Sequence, residues 1–479
     1  MADYHPDREA LEQFARGALR GDDGRWIEDH LRTGCALCQR TVDDLLPKLE
    51  HSPAGSPGRS AGTSTNAGTP GGSLPAGRGG PEPAELPIER PDDQTAWDEI
   101  FAKLERRLAL LSCEKDAAPQ LAGEILQQPA PARAPLARSS RRFQTLAVCD
   151  LLIEKSFEAG FHDAVAGVEL AELGIALAEL LDAGRYGLAV VHDVQARAWA
   201  HLGNARRLGG DLLGAEEALA CAAMLAKEGS ADPLEKARLL DLRASLLSDQ
   251  GWFEEAADVL DGVIDIYDDV QDMHRKGRTL ISKGLFLGNA GSHYTAIELF
   301  THGLPLLDQR LEPRLVLAAR HNLIWNLNES GQTDIARAQL ERFRSSYQEL
   351  GDARTELPLA WLEARIAARS GNLLEAEQRL GDLRRRFLER GMGYDASLVM
   401  LDLALLFLDQ GRRDEVRRIP EQMLPILLSR DIHQHAISAL IAFQQAAEAG
   451  QLTTALVHEI AGYLRRARKN PRLSFEYAA

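Results

Sequence analysis

The sequence predicts an all-α fold, a right-handed α-solenoid of helical hairpins, over most of its length. Three observations support this: a composition that favours helix, a glycine that recurs at a nearly constant interval, and an apolar residue at a fixed distance after it. The chain has 479 residues, of which 45% are apolar, 26% are charged and only 6% are aromatic. Ala, Leu, Arg and Glu are abundant, and such a mixture favours helices throughout.

Each repeating unit contains a glycine and, five positions later, a small residue. Consecutive glycines lie 39 to 41 residues apart, and a period of this length is typical of solenoids. Glycine ends the first helix of a hairpin (helix A) in a left-handed conformation, and the small residue lets the second helix (helix B) cross closely. The pairs are Gly210/Ala215, Gly251/Ala256, Gly291/Ala296, Gly331/Ala336, Gly371/Ala376, Gly411/Val416 and Gly450/Ala455, with a looser pair, Gly160/Val165, upstream.

Helix B also carries an apolar residue four positions after the small one, which places a stripe toward the neighbouring helix. These residues are Leu219, Leu260, Phe300, Leu340 and Leu380.

One unit, AWAHLGNARRLGGDLLGAEEALACA, resembles the tetratricopeptide repeat. The residues that carry this resemblance are Trp199, Leu202, Gly203, Gly210, Ala215, Leu219 and Ala222. Other units match only at the glycine, the small residue and the apolar position. The resemblance covers about residues 145–465, and the long period looks more like the long-helix variants of bacterial signalling and regulatory proteins.

In that family helix A lines a groove that binds a protein or peptide, so the resemblance implies groove positions here. They are Asn204, Arg207, Asp241, Ser248, His321, Trp325, Asn328, Trp361 and Arg365. The stretch from His321 to Arg365 contains two tryptophans and an arginine, the residue types favoured at binding hot spots. The alternative is that the tryptophans pack between helices.

Residues 1–50 are predicted to form a small helical module with a metal site. His30, Cys35 and Cys38 have the spacing H-x4-C-x2-C, and zinc prefers such tetrahedral nitrogen and sulfur ligands. A closed structural site needs a fourth ligand, for which His5 is the first candidate. Asp29 and His51 remain alternatives. One structural Zn²⁺ is therefore expected.

This arrangement resembles the zinc-binding anti-sigma-factor domain, a zinc-finger module with an upstream His followed by H-x3-C-x2-C. The sequence departs from that pattern by one extra residue, Gly34. The resemblance implies that the module binds a sigma factor. Two alternatives stay open: a helical bundle without metal, and a site that releases zinc when its thiolates are oxidised.

The remaining boundaries follow from composition. Residues 51–92, rich in Gly, Ser and Pro, cannot bury enough apolar surface and are predicted to be a disordered linker. Residues 93–140 hold a helical segment, Trp97–Cys113, and an irregular connection, Gln127–Arg141. The solenoid occupies residues 141–468, and residues 469–479 form a tail.

Several functional classes are disfavoured by charge and motifs. The net charge of −16 argues against direct nucleic-acid binding, and no apolar run is long enough to span a membrane. Five cysteines suggest a reducing cytoplasm, with Cys113, Cys149 and Cys221 expected on apolar helix faces. We find no phosphate loop, GxSxG elbow or HExxH motif. The sequence thus favours a non-enzymatic regulatory protein, or alternatively an assembly scaffold whose zinc module is purely structural.

Overall fold

A computed structural model of the chain describes Ile27 and residues 94–350, 353–428, 435–468, 470 and 473–475. The predicted linker lies outside these residues, as does the amino-terminal module apart from Ile27, which is helical and buried. The zinc ligands proposed from the sequence, His5, His30, Cys35 and Cys38, also lie outside them and stay predictions.

The described residues form α-helices and short 3-10 turns, without a strand, which confirms the predicted fold class. The helices are α1 (Gln94–Leu126), α2 (Ala130–Ser139), α3 (Leu146–Gly160), α4 (Ala164–Ala178), α5 (Ala183–Tyr186), α6 (Leu188–Leu208), α7 (Leu212–Lys227), α8 (Pro233–Gln250), α9 (Phe253–Asp269), α10 (Met273–Asn289), α11 (His293–Gly303), α12 (Pro313–Glu329), α13 (Thr333–Leu350), α14 (Ala353–Arg369), α15 (Leu373–Glu389), α16 (Gly393–Asp409), α17 (Arg413–Leu427), α18 (His435–Glu448) and α19 (Thr454–Ala467).

The chain divides into two compact units, Met1–Ala117 and Ala118–Ala479, and the boundary falls inside α1. The predicted helix over Trp97–Cys113 is therefore part of a longer one. Cys113 is exposed, so its predicted place on a buried face is wrong. By contrast, Cys149 is fully buried and Cys221 is partly buried.

The connection between α1 and α3 is more regular than the sequence suggested. It contains the helix α2, although two prolines lie within its ten residues. One proline occupies the first turn, where a missing backbone N–H costs nothing because that group has no partner within the helix. The two prolines led to the prediction of an irregular segment, but they do not prevent a helix from forming here.

In the second unit, helices pack as consecutive antiparallel pairs, α3/α4 and α6/α7 through α18/α19. All seven repeat glycines have a positive φ, between 67° and 92°. In each turn the residue after the glycine donates its N–H to the carbonyl five positions earlier, as Trp252 does to Leu247 at 2.9 Å. This bond satisfies a carbonyl at the end of helix A and turns the chain into helix B. The predicted glycine turns are confirmed.

The small residues and the apolar stripe of helix B are buried, as predicted, in the regular units. Ala215, Ala256, Ala296, Ala336 and Ala376 are wholly buried, and the five stripe residues are at most 6% exposed.

The two end hairpins differ. In the first, Val165 is 70% exposed, and Gly167 takes the crossing position against the backbone of Gly160. In the last, Ala455 is exposed, and Leu456 and Val457 are buried in its place.

Candidate functional site

Consecutive A helices lie side by side and are joined by ion pairs between residues about one repeat apart. The surface that α3, α6, α8, α10, α12, α14 and α16 share is here named the helix A face. Two groups of side chains on it stand out because each is centred on one arginine that contacts both neighbouring helices. Their geometry decides which parts of the face a ligand can use.

The tryptophan cluster comprises Trp325 and Glu329 on α12, Trp361 and Arg365 on α14, and Asp402 on α16. The two indole rings meet edge to face, with centroids 5.8 Å apart, and the Arg365 guanidinium lies 4.7 Å above the Trp325 ring. Arg365 donates to Glu329 at 2.8 Å and forms a second ion pair with Asp402. The Trp361 indole N–H also donates to Asp402, at 2.6 Å. One arginine thus links three successive A helices.

These charges are withdrawn from solvent and compensate each other. Only 10% of the Arg365 side chain is exposed, with 9% of Glu329 and 11% of Asp402. Burial alone would raise the pKa of Glu329, but Arg365 and the nearby Arg369 outweigh it and hold that pKa at about 2. Burial likewise opposes the charge on Arg365, whose pKa is nevertheless raised by Asp402 and Glu329. The tryptophan cluster is a buried ion-pair network that joins the three helices.

His321 lies beside the tryptophan cluster. Its ring lies 6.5 Å from that of Trp325, and its Nδ1 is 3.0 Å from the Tyr347 hydroxyl. Burial lowers the pKa of His321 to about 4, so the ring is neutral at pH 7. Asn328, also predicted as a groove residue, is completely buried, and neither polar atom of its side chain has a hydrogen-bond partner among the described residues. It therefore offers no surface to a ligand.

Of the predicted positions on α6 and α8, Arg207 forms an ion pair, and its partner Asp249 was not among the predicted residues. Arg207 donates to Asp249 at 2.5 Å and to the side-chain oxygen of Asn204 at 2.9 Å. Asn204 is buried, so it orients Arg207 and does not face outward. Burial raises the pKa of Asp241, against the opposing charges of Arg278 and Arg207.

The structure adds a group that the sequence did not single out, the pocket cluster of Asp150, Arg197, His201, Glu235 and Arg238. Arg197 on α6 contacts Asp150 on α3 at 2.5 Å and Glu235 on α8 at 2.8 Å. Both nitrogens of one edge of the guanidinium bond to Glu235, at 2.8 and 3.1 Å. Here again one arginine links three successive A helices.

A small cavity lies between α6 and α8 in the pocket cluster. Its volume is about 30 Å³, which suits one or two water-sized groups or the tip of one side chain. Arg197, Glu235 and Arg238 surround it with alanine and leucine side chains. The Nδ1 atom of His201 is buried there without a hydrogen-bond partner in the described part of the chain. Burial, then Arg197 and Arg238, lower the pKa of His201 to about 4.

The ion pairs of the two clusters have a signal in the sequence. Opposite charges recur on helix A at intervals near the repeat period: Glu329 and Arg365 are 36 residues apart, and Arg365 and Asp402 are 37 apart. Arg197 and Glu235 are 38 apart. These separations are slightly shorter than the repeat interval, and Asp150 does not fit them because it lies 47 residues before Arg197.

Comparisons with known proteins give a structural likeness and nothing more specific. No family model matches the chain, and no curated protein matches it. Among solved structures, the chain is similar to the crystal structure of aspartyl phosphate phosphatase F from Bacillus subtilis. The two are 11% identical with a TM-score of 0.47, over 90% of this chain and 97% of that one.

Two further features bear on the site. Among the described residues, no three His, Cys, Asp or Glu side chains are placed to hold one metal ion. Every helix in the described ranges is too short or too polar to span a bilayer.

Proposed function

We propose that the solenoid binds a protein or peptide partner on the helix A face and that the chain is a non-enzymatic regulatory protein. The observation that carries the proposal is the cavity of the pocket cluster. It combines an apolar lining, two guanidinium groups that both pair with Glu235, the carboxylate of Asp193 and an imidazole nitrogen without a partner among the described residues. Ligand sites typically combine an apolar lining with a few convergent polar groups. The cavity's small volume suits one anchoring side chain of a larger partner.

Capture of partners by the full chain tests this proposal. Arg238→Glu inverts one charge at the rim of the cavity, at a side chain that is 41% exposed. Arg385→Glu is the matched control, because Arg385 lies on a B helix and pairs with Asp382 and Glu389 of that helix. We expect a partner retained by the parent chain and by the control but lost with Arg238→Glu. Equal capture by all three proteins would contradict the proposal.

For the amino-terminal module we propose one structural Zn²⁺ held by His5, His30, Cys35 and Cys38, and a sigma factor or other transcription regulator as its partner. The donor set supports zinc, since two thiolates and two imidazoles suit a tetrahedral site. Metal analysis of the full chain should find about one zinc, lost when Cys35 and Cys38 are replaced by serine. An unchanged metal content would refute the site.

A scaffold function is the second candidate. In that case the solenoid assembles a protein complex, and the zinc module serves stability alone. Deleting residues 1–50 would then leave the capture of protein partners by the solenoid intact. No transcription regulator would be lost from the captured proteins.

A further inference from the structure

The last hairpin does not simply continue the array. Its helix B, α19, packs against α16, an A helix, as well as against its own partner α18. The apolar side of α19, which includes Ile460 and Leu464, is buried. His458 and Arg465 lie on its other side and remain exposed. Helix α19 therefore lies along the helix A face.

This placement brings α19 beside the tryptophan cluster. Desolvation and then the nearby Arg365 charge lower the pKa of Arg465, although the Arg465 side chain keeps contact with solvent. Glu329 and Asp402 partly offset that repulsion. A ligand approaching the tryptophan cluster would thus meet α19 first.

The end of α19 reaches a hairpin far away in sequence. The side-chain amide of Asn470 donates to the backbone carbonyl of Gln250 at 3.3 Å, across 220 residues. The Arg466 side chain packs on Gly251, with its Cδ 3.0 Å from the point where a Cβ atom would sit. Arg468 pairs with Asp395 at the start of α16, at 2.8 Å. The carboxyl end of the solenoid therefore bridges α16 and the α8/α9 turn, which are separated by three hairpins.

These bridging contacts are few, and the Arg468 side chain is 49% exposed. Exposed ion pairs and single hydrogen bonds are weak, so such contacts can open without unfolding the array. The groups that donate are the Arg468 guanidinium and the Asn470 amide, whereas Arg466 contributes the alkyl part of its side chain. A competitor for the two donors must therefore supply acceptors, and carboxylates serve this best.

We propose that the side chains of Arg466, Arg468 and Asn470 form a latch that closes the helix A face and is released by an acidic segment of a partner protein. The latch refines the partner binding proposed above and depends on it for its biological meaning. Its closure can nevertheless be measured without any partner.

Hydrogen exchange of the full chain tests the latch. In a variant with Arg466→Ala and Asn470→Ala, we expect amide exchange at residues 250–252 and at the end of α19 to rise about tenfold, with α14 unchanged. Arg385→Ala is the control and should match the parent chain. Unchanged exchange at residues 250–252 would overturn the latch. If the double variant unfolds, Arg468→Glu replaces it, because this change places a like charge opposite Asp395. It must raise hydrogen exchange at the same amides, and unchanged exchange would equally overturn the latch.

A second arm tests the chemistry of the partner. A twelve-residue peptide of alternating Glu and Leu should raise exchange at the same amides of the parent chain, whereas its Lys and Leu counterpart should not. Equal effects of the two peptides, or no effect of either, would overturn the acidic partner. If the variants open the latch but no partner is captured through the pocket cluster, the proposed function is wrong and the latch is still supported.

Discussion

The pocket cluster and the tryptophan cluster are built on the same plan and differ in how far water reaches them. In each, one arginine ties three successive A helices through two carboxylates. The Arg197 side chain is 22% exposed and its partner Asp150 is 43% exposed, whereas Arg365 is 10% exposed between two carboxylates of similar burial. The shared plan holds neighbouring hairpins in register. The difference in exposure makes the pocket cluster the more accessible of the two to a ligand.

Removing each arginine tests this difference most strongly. Arg365→Ala leaves Asp402 with only the Trp361 N–H and Glu329 with only Arg369, while both carboxylates stay buried, and breaking such a buried pair costs about 3–5 kcal/mol of unfolding free energy. Arg197→Ala should cost only about 1–2 kcal/mol, because water can solvate Asp150. Urea unfolding of the full chain, followed by circular dichroism, measures both. Equal losses would show that the two clusters do not differ in their contribution to stability as their exposure suggests.

The dependence of the unfolding free energy on acidic pH gives the next largest expected effect. The pKa of Glu329 is about 2 in the folded chain, against an ordinary value of 4.5 that is expected in the unfolded chain. Since the folded-state pKa is the lower one, Glu329 stabilises the fold above about pH 4.5, and this contribution disappears as the pH falls to about 2. A shift of this size corresponds to roughly 3 kcal/mol.

Comparison with Glu329→Gln isolates that contribution. The difference in unfolding free energy between the parent chain and the variant should be largest near pH 6 and should shrink toward zero near pH 2. His201 and His321, whose pKa values of about 4 lower stability as the pH falls from 6.5 to 4, are present in both proteins and cancel. Glu389→Gln, on an exposed helix surface, should follow the parent chain at every pH. A difference independent of pH would contradict the assigned ionisation.

Much of the solenoid could be predicted from the sequence because its period constrains distant residues directly. A left-handed glycine and a small residue five positions later fix where two helices turn and cross, so the turns at Gly251 and Gly291 were foreseeable. Trp325 and Trp361 are 36 residues apart, about one helical turn short of the 40-residue period, so both fall on the same side of consecutive A helices. The aromatic part of the tryptophan cluster was therefore predictable.

The carboxylates were harder to predict. Glu329 and Asp402 resemble solvated residues in the sequence, and their burial depends on how each helix is rotated about its axis. The exposed Ala455 and the packing of α19 against α16 are specific to the last described hairpin, which departs from the repeat geometry. The pocket cluster likewise arises from three helices at once, and no single unit displays it.

The smallest expected effect concerns Arg238, and it tests whether the pocket responds to a nearby charge. Arg238→Ala removes an exposed ion pair with Glu235 and should change the unfolding free energy by about 0.5 kcal/mol or less. It should nevertheless raise the pKa of His201 from about 4, because Arg238 is one of the two cations that depress it. Burial persists, so the pKa should stay below 6.5.

Titration of ¹³C-labelled histidines by NMR measures this change. His321 is the internal control, because its pKa is lowered by burial and should not move. Arg238→Lys keeps the charge and should keep the low pKa of His201. If the pKa of His201 is the same in all three proteins, the Arg238 guanidinium does not act on the imidazole. If the pKa of His201 rises only in Arg238→Ala, a change of charge in the pocket cluster changes the pKa of this histidine. The pKa of His321, beside the buried tryptophan cluster, is lowered by burial and has no such response.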